Sequence, residues 1–291
     1  MATVSIMFVR ADRLLSPSAM TGGRHVVHFG WEEWTPLLLC YDQTNDAVLP
    51  EDLTKVDWNI SSSRRCVGSF HEDGYHRCPE GMPVNRFDQC SRCASVWMPR
   101  QECIFEPACT GDRCDSNICR SEHTVYIAFF GENGKIGMTT SQRLKERGIE
   151  QGADAIAPLA RLPNRLEGRQ AENRISKMLR LPQTMPRRRF VGLLGSDRRR
   201  DRVEERFKAF LETLSGRMEM LPTRLDWVDA YPLASLAGRK VCLAETVGAH
   251  RGRVLGLKGK FLLYENGPND VKALDLSDLP GRYLSLIPKR F

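Results

Sequence analysis

Cysteine is the residue type with the most informative spacing in this 291-residue chain. Cys90 and Cys93 are separated by two residues, a spacing that lets two thiolates on a tight turn bind one tetrahedral zinc ion. Cys66 and Cys78 precede this pair and would complete a set of four sulfur ligands. Four protein ligands leave no open position on the metal, so the spacing predicts a structural zinc site. Reduced cysteines without a metal are the alternative.

Four more cysteines follow at irregular spacing, namely Cys103, Cys109, Cys114 and Cys119. They could bind a second zinc ion, but they contain no Cys-x2-Cys pair, and unliganded thiols are an equally good interpretation. An iron–sulfur cluster is an alternative for either set. Ten cysteines in a chain without a recognisable secretory leader favour metal ligation in a reducing compartment over disulfide bonds.

A second group of residues, after the cysteines, could act on a phosphate group. Its members are Tyr126, Lys135, Arg143 or Arg147, and Glu167 or Glu172. The carboxylate could hold a divalent ion, usually Mg²⁺, while the arginine clamps the phosphate. A tyrosine beside cations is expected to have its pKa lowered from about 10, which would let it help to deprotonate water. Each residue alone also suits an ordinary place in a strand or on a helix surface, so the hypothesis of phosphodiester cleavage depends on their combination.

Clear α/β patterning between residues 123 and 180 would position this second group. The predicted elements are a strand Thr124–Phe130, a tight turn 131–134, a strand Lys135–Met138, a helix Thr140–Arg147, a strand Ala155–Leu162 and a helix Asn164–Arg180. Gly148 is a natural end for the first helix, and Asn164 is a typical N-cap for the second. Gly137 near the end of its strand indicates a close backbone approach or a turn, and Gln151 in the following loop could face the site.

Both ends of the chain have the patterns of strands, which makes the predicted fold class α+β. Strands are predicted at Val4–Arg10, His25–Phe29, Pro36–Tyr41, Lys240–Glu245, Arg253–Leu255, Lys260–Glu265 and Tyr283–Ile287. Val203, Phe207, Phe210, Leu211 and Leu214 recur at helical spacing and predict an amphipathic helix. The predicted order is a β-rich segment 1–62, a cysteine-rich zinc module 63–120, an α/β domain 121–182, a basic connector with the amphipathic helix 183–237, and a β-rich segment 238–291. The two β-rich ends are expected to pack together.

The net charge of +7 suits a nucleic-acid or other phosphate-containing partner without requiring one. Clustered arginines lie in the connector, at positions 187–189, 198–200 and 202. They could bind phosphates, but the acidic residues among them are equally typical of a solvated linker. No run approaches the roughly 20 apolar residues of a membrane span, and the first residues lack a secretory leader. A cytoplasmic protein without a membrane partner is therefore expected.

The α/β segment resembles the GIY-YIG nuclease superfamily, in which two strands carry the Gly-Ile-Tyr and Tyr-Ile-Gly motifs. Thr124-Val125-Tyr126 corresponds to the first motif, and Lys135-Ile136-Gly137 corresponds to the second with lysine in place of tyrosine. The resemblance implies a β-β-α-β-α unit in which Arg147 is the helix arginine and Glu172 the metal-binding glutamate. Arg143 and Glu167 are the second choices for these two roles. Lysine at position 135 departs from the superfamily, whose second tyrosine takes part in the usual mechanism.

A closer resemblance covers most of the chain. The segments RRCVGS, RCPEG, QCSRC, VYIAFFG, KIGMT, RGIEQGADAIAPLA and RQAENRIS occur in this order, which is similar to a bacterial and archaeal family of unknown function of the DUF2797 type. That family has a cysteine-rich module before a divergent GIY-YIG-like domain. The resemblance supports the first four cysteines as ligands more than the later four, and it implies no activity by itself.

We therefore expect metal-dependent phosphodiester cleavage of a nucleic acid or nucleotide-like substrate. The expected catalytic residues are Tyr126, Lys135, Arg147 and Glu172, and the expected substrate contacts are Gly137, Arg143 and Gln151. Tyrosine would assist the water, lysine and arginine would hold the phosphate, and glutamate would bind Mg²⁺. Two alternatives stay open, because a fold does not fix a function. One is a non-nuclease enzyme that acts on a small metabolite with the same scaffold, and the other is a zinc-stabilised nucleic-acid-binding protein without catalysis.

Overall fold

A computed structural model of the protein describes residues 23–95, 101–113, 116–196, 199–219, 221–236, 238–267 and 270–287. The predicted α+β class is confirmed, since strands dominate and short helices lie between them. The strand predicted at Val4–Arg10 and the predicted ligand Cys114 lie outside the described residues.

Strands and helices are numbered here in chain order. The strands are β1 Arg24–Glu32, β2 Thr35–Asp42, β3 Ala47–Pro50, β4 Lys55–Ile60, β5 Ser69–His71, β6 Gly74–His76, β7 His123–Phe130, β8 Asn133–Thr140, β9 Ala155–Leu162, β10 Asp226–Trp227, β11 Val241–Leu243, β12 Gly248–Lys258, β13 Phe261–Glu265, β14 Val271–Asp275 and β15 Tyr283–Leu286. The α-helices are α1 Ser91–Ala94, α2 Asn117–Arg120, α3 Leu144–Gln151, α4 Arg165–Leu179, α5 Arg187–Leu193 and α6 Arg200–Leu214.

The large sheet joins strands from both ends of the chain. Its nine strands have the order β11-β14-β13-β12-β4-β15-β1-β2-β3, and β11–β14 is a parallel pair among antiparallel ones. Alternation along β4 places Val56, Trp58 and Ile60 in the core, as expected of a strand with one covered face. The N-terminal strands thus share one hydrophobic core with the C-terminal strands.

The small sheet carries the second group of chemistry-bearing residues. Its order is β10-β9-β7-β8, and all eight residues of β7 are buried. Val125, Ile127 and Phe129 pack with residues of α4 and α6, while Tyr126 lies in the core that α3 shares with the large sheet. Because both faces of β7 are covered, the strand has a continuous apolar run instead of alternation.

The helix after β8 differs from its prediction. It was expected at Thr140–Arg147 with Gly148 as its end, but α3 spans Leu144–Gln151. β8 continues to Thr140, which pairs with His123, and a 3-10 helix at Ser141–Arg143 then leads into α3. Gly148 lies inside the helix against Ile156, and Gly152 is the residue with left-handed backbone, at φ +75°, that ends it.

Several further elements were not predicted. They are β3, β4, β5, β6, β10, β14, α1 and α2, together with α5, which lies in the predicted basic connector. The other elements of the α/β region match their predictions closely, and the Asn164 side chain accepts a hydrogen bond from the Glu167 backbone N–H at the start of α4. None of the helices in the described part of the chain combines the length and the apolar character that a membrane span requires.

Candidate functional site

Four cysteines converge after β4 and β6 and at the start of α1. The sulfur atoms of Cys66, Cys78, Cys90 and Cys93 all lie within 4.8 Å of one another. Cys90 is half-buried and the other three are buried. Sulfurs this close can surround one ion tetrahedrally, since Zn–S bonds are about 2.3 Å long. The predicted first ligand set is therefore assembled, and it could hold a metal ion.

Backbone N–H groups stabilise negative charge on these sulfurs. The Cys90 N–H donates to the Cys66 sulfur at 3.2 Å. Burial alone would raise the pKa of Cys78, but the N–H groups of Met82 and Glu80 outweigh it and lower that pKa to about 7. Burial is also the largest effect on Cys66, and it raises the pKa of that thiol. Such N–H···S bonds are the outer-shell contacts that orient thiolate ligands around a metal.

The later cysteines do not assemble in the same way. Cys119 is buried, and Cys103 and Cys109 are half-buried. Among the described residues, no group of three potential ligands forms from them. Because Cys114 lies outside the described residues, the second zinc site stays a prediction.

Tyr126 and Gly137 are directly paired across β7 and β8. A Cβ atom on Gly137 would lie 2.5 Å from Cζ of the tyrosine ring, closer than real Cβ contacts come. The close approach that the sequence predicted at Gly137 is therefore an approach to the Tyr126 ring, which fills the space above the glycine.

The Tyr126 hydroxyl is held from the α3 side. Gln151 Nε2 donates to it at 2.6 Å, and the positive charge of the Arg147 guanidinium acts on it. Tyr126 is 1% exposed, and this burial raises the pKa of its phenol although Arg147 opposes the shift. The expected lowering of the tyrosine pKa is thus wrong, because desolvation outweighs the nearby positive charge.

Lys135 lies on the same face of β8 as Gly137, two residues before it. Its side chain is buried, and Nζ donates to the Gln183 carbonyl at 3.4 Å. Burial, with a contribution from Arg147, lowers the lysine pKa to about 8, while Glu172 opposes the shift. Lys135 therefore loses its proton at a lower pH than an ordinary lysine does.

Two arginines on the segment that follows β8 bind one carboxylate. Arg143 Nη2 lies 2.5 Å from Glu150 Oε1, and Arg147 Nη1 lies 3.0 Å from Glu150 Oε2. Burial would lower the Arg147 pKa, but Tyr126 and Glu150 raise it. Arg147 thus pairs with Glu150 and interacts electrostatically with Tyr126.

Glu172 on α4 is the carboxylate of this second group of residues. Glu172 is 5% exposed, and Arg169 Nη1 donates to its Oε2 at 2.8 Å. Burial raises the glutamate pKa, while Arg169 and then Lys135 oppose the shift. Glu167, the second choice in the sequence, is exposed in the first turn of α4 and pairs with Asn164.

Comparison with known proteins identifies the family. A family model described as "Protein of unknown function (DUF2797)" matches residues 54–279. The chain belongs to this family. No curated protein and no solved structure matches it. The DUF2797 match spans the cysteine cluster, the small sheet and the strands β12 to β14, so both candidate sites lie inside it.

In this DUF2797 protein the structure adds residues that the sequence did not single out. Gln183 reaches Lys135 because the Ile136 N–H donates to the Pro182 carbonyl at 2.9 Å, which fixes the chain after α4 along the edge of β8. His28 on β1 lies near Glu150 and Arg143, and burial lowers its pKa. No local pattern could have indicated His28, which is separated from α3 by more than a hundred residues.

The predicted basic connector is largely paired with acidic side chains. Arg187 binds Asp275 and Asp278, and Arg200 binds Asp229 at 2.7 Å. These pairs link α5 and α6 to other elements of the DUF2797 fold. The connector therefore offers less free positive charge to a phosphate partner than its composition indicates.

Proposed function

We propose that this DUF2797 protein cleaves a phosphodiester bond in a nucleic acid or nucleotide-like substrate, with a divalent metal ion at Glu172. The proposal includes a GIY-YIG-like unit from β7 to α4 and a structural zinc ion in the cysteine cluster. One observation carries it. Tyr126, Lys135, Arg147 and Glu172, from successive elements, are close enough for each to affect the pKa of at least one other.

The pKa values favour Lys135 as the residue that removes a proton from the attacking water. A general base works best when its pKa is near the pH of the reaction, and Lys135 has a pKa of about 8. Tyr126 has its pKa raised by burial, so its hydroxyl stays protonated and serves as a hydrogen-bonding group. Arg147 is partly exposed and would hold a phosphate oxygen.

The donor set around Glu172 suits an ion that enters with its substrate. Glu172 is a single buried carboxylate, and one of its oxygens is bound by Arg169. Mg²⁺ is commonly held by one or two carboxylates together with substrate phosphates and water. Such an ion would stabilise the negative charge that develops on the phosphate.

Burial favours a small substrate as the second candidate. Tyr126, Lys135 and Glu172 are 1%, 8% and 5% exposed, whereas a polymer needs an open groove. A phosphorylated metabolite or nucleotide would fit a closed site of this kind better than a duplex. Nucleic-acid binding without catalysis is the third candidate, and the paired arginines of the connector weigh against it.

A Glu172→Ala variant tests the proposal directly. Mg²⁺-dependent cleavage should be lost on every active substrate among single-stranded and double-stranded DNA, RNA and dinucleotides. Metal content of the cysteine cluster and the circular dichroism spectrum should stay unchanged. Glu167→Ala, on the exposed turn of the same helix, is the matched control and should keep its activity. Full activity of Glu172→Ala would show that the proposed mechanism is wrong.

A further inference from the structure

We propose that Arg143 and Arg147 form a phosphate-binding site that the carboxylate of Glu150 occupies until a phosphate group displaces it. The inference rests on the proposed phosphate chemistry but concerns binding alone. Each guanidinium contacts a different oxygen of the carboxylate, at 2.5 Å for Arg143 and 3.0 Å for Arg147. A phosphate presents two non-bridging oxygens in a similar way, and arginine binds both kinds of anion.

The position of this carboxylate distinguishes it from an ordinary surface ion pair. The positive charge of Arg147 acts on both the Tyr126 hydroxyl and the Lys135 amine. An anion held by Arg147 therefore lies beside the candidate catalytic group. The comparison pair Arg202–Glu205 has the same helical spacing and a distance of 3.2 Å. Among the described residues, Glu205 pairs with that arginine alone, whereas Glu150 pairs with two arginines.

Exposure allows a ligand to reach the arginines. The side chains of Arg143 and Arg147 are 58% and 43% exposed, and that of Glu150 is 21% exposed. The two guanidinium side chains are thus more exposed to solvent than the Glu150 side chain that they bind. A phosphate could therefore approach them from outside without any change in the buried residues.

The energies favour exchange of one anion for another. Exposed ion pairs contribute about 0–1 kcal/mol each, so displacement of Glu150 costs little. A phosphate monoester carries up to two negative charges, against one on Glu150. His28 faces Glu150 and Arg143 from β1, and burial lowers its pKa. The cations that hold the phosphate are thus the two arginines.

Phosphate binding to a Glu150→Gln variant tests this inference. Removal of the competing charge should tighten binding of inorganic phosphate about fivefold, the equivalent of one exposed ion pair. Titration calorimetry at fixed ionic strength would measure the change in Kd. Glu205→Gln removes the same charge from a similar helical pair and should leave the Kd unchanged. Arg143→Gln, at an exposed position, should weaken phosphate binding and gives a second measurement that does not depend on how Glu150→Gln folds.

Two further ligands identify the source of the phosphate. If Glu150→Gln binds a nucleoside monophosphate more tightly than the natural protein does, but not a dinucleoside monophosphate, the site takes a terminal phosphate. If it binds both ligands more tightly, the site also takes a backbone phosphate. Unchanged or weaker phosphate binding by folded Glu150→Gln would overturn the inference, as would unchanged binding by Arg143→Gln. These titrations need neither Glu172 nor a divalent ion, so their failure is distinct from failure of the cleavage assay.

Discussion

At the scale of single residues, Gly137 and Tyr126 depend on each other. The tyrosine ring covers the glycine so closely that a Cβ would lie 2.5 Å from Cζ. We predict that Gly137→Ala lowers the free energy of unfolding by about 1–3 kcal/mol, because overpacking forces a buried side chain to move. Urea unfolding would measure this, and the double variant with Tyr126→Leu should lose less than the sum of the single changes.

Gly192 provides the control for this experiment. It lies in α5, and nothing lies within 4 Å of the position that a Cβ would take. Gly192→Ala should therefore be neutral or stabilising by about 0.5–1 kcal/mol, since alanine favours a helix. Equal losses from both substitutions, or strict additivity with Tyr126→Leu, would contradict the account given for Gly137.

Lys135 should make stability depend on pH in a defined direction. Its pKa falls from 10.5 to about 8 in the folded protein, because burial disfavours the charged form. Below pH 8 the lysine is charged in both the folded and the unfolded protein, and burial of the charged amine destabilises the folded protein to the full extent. Between pH 8 and 10.5 only the unfolded state keeps the proton, so this lysine's contribution makes the free energy of unfolding rise with pH.

A Lys135→Met variant isolates this contribution. At pH 7 it should be more stable than the natural protein by up to about 3 kcal/mol, and the gain should shrink as pH rises from 8. Urea unfolding of both proteins between pH 6.5 and about 10 would give the difference curve. A difference that stays constant with pH would show that the lysine pKa is not lowered.

At the scale of elements, the cysteine cluster is the core of its own module. Cys66, Cys78 and Cys93 are its buried members, and Val84 is the aliphatic side chain packed against them. Val67, Phe70 and Tyr75 of the same segment pack against β1 and β2, but the cluster itself has too little apolar surface to hold its turns together, so a bound metal would supply free energy there. Removal of the ion with a chelator should therefore expose the backbone around residues 64–94, which hydrogen exchange would detect.

Metal content tests the same module quantitatively. We predict one tightly bound ion per chain in the natural protein and loss of that ion in Cys90→Ser, measured by elemental analysis. Cys242→Ser, a half-buried cysteine on β11, should keep the ion. Two ions per chain would instead support a second site in the later cysteines. A full complement of metal in Cys90→Ser would contradict the assignment of that ligand.

Local patterns were sufficient for some elements and not for others. Thr124–Phe130 and Ala155–Leu162 were recognisable as strands because their apolar runs are short, and the first also contains the β-branched residues Thr124, Val125 and Ile127. Asn164 was recognisable as a cap because its side chain satisfies a free N–H at the start of α4. Gly148 was misread, because a glycine packed inside a helix has the same sequence signal as one that ends it.

At the scale of the whole molecule, the features that the sequence could not predict depend on pairing between strands far apart in the chain. β4 pairs with β12 and β15, strands that lie far away in the chain, so the nine-stranded sheet has no local signature. His28 reaches α3 only through that sheet. The proposed catalytic residues lie on elements that are near one another in the chain, so the sequence could group them, whereas the burial of Tyr126 depends on the large sheet packed over α3.

One buried ion pair connects the two sheets. Lys258 Nζ at the end of β12 lies 2.6 Å from Asp154 Oδ1, just before β9, and both side chains are less than a tenth exposed. The other carboxylate oxygen accepts the Gly131 N–H at 2.7 Å. Charges this far from water are costly to separate, because a buried lysine that loses its carboxylate keeps its desolvation cost.

The Asp154→Asn variant should therefore lower the free energy of unfolding by about 3–5 kcal/mol. Adding Lys258→Met should restore most of this loss, because asparagine still accepts the Gly131 N–H and no buried charge remains. Asp57→Asn removes the exposed pair with Arg251 in the same large sheet and should cost no more than about 1 kcal/mol. If the double variant were less stable than Asp154→Asn alone, the pair would be essential to the junction of the sheets. Recovery in the double variant would show that apolar packing holds the sheets together and that the pair is needed because neither charge can stay buried alone.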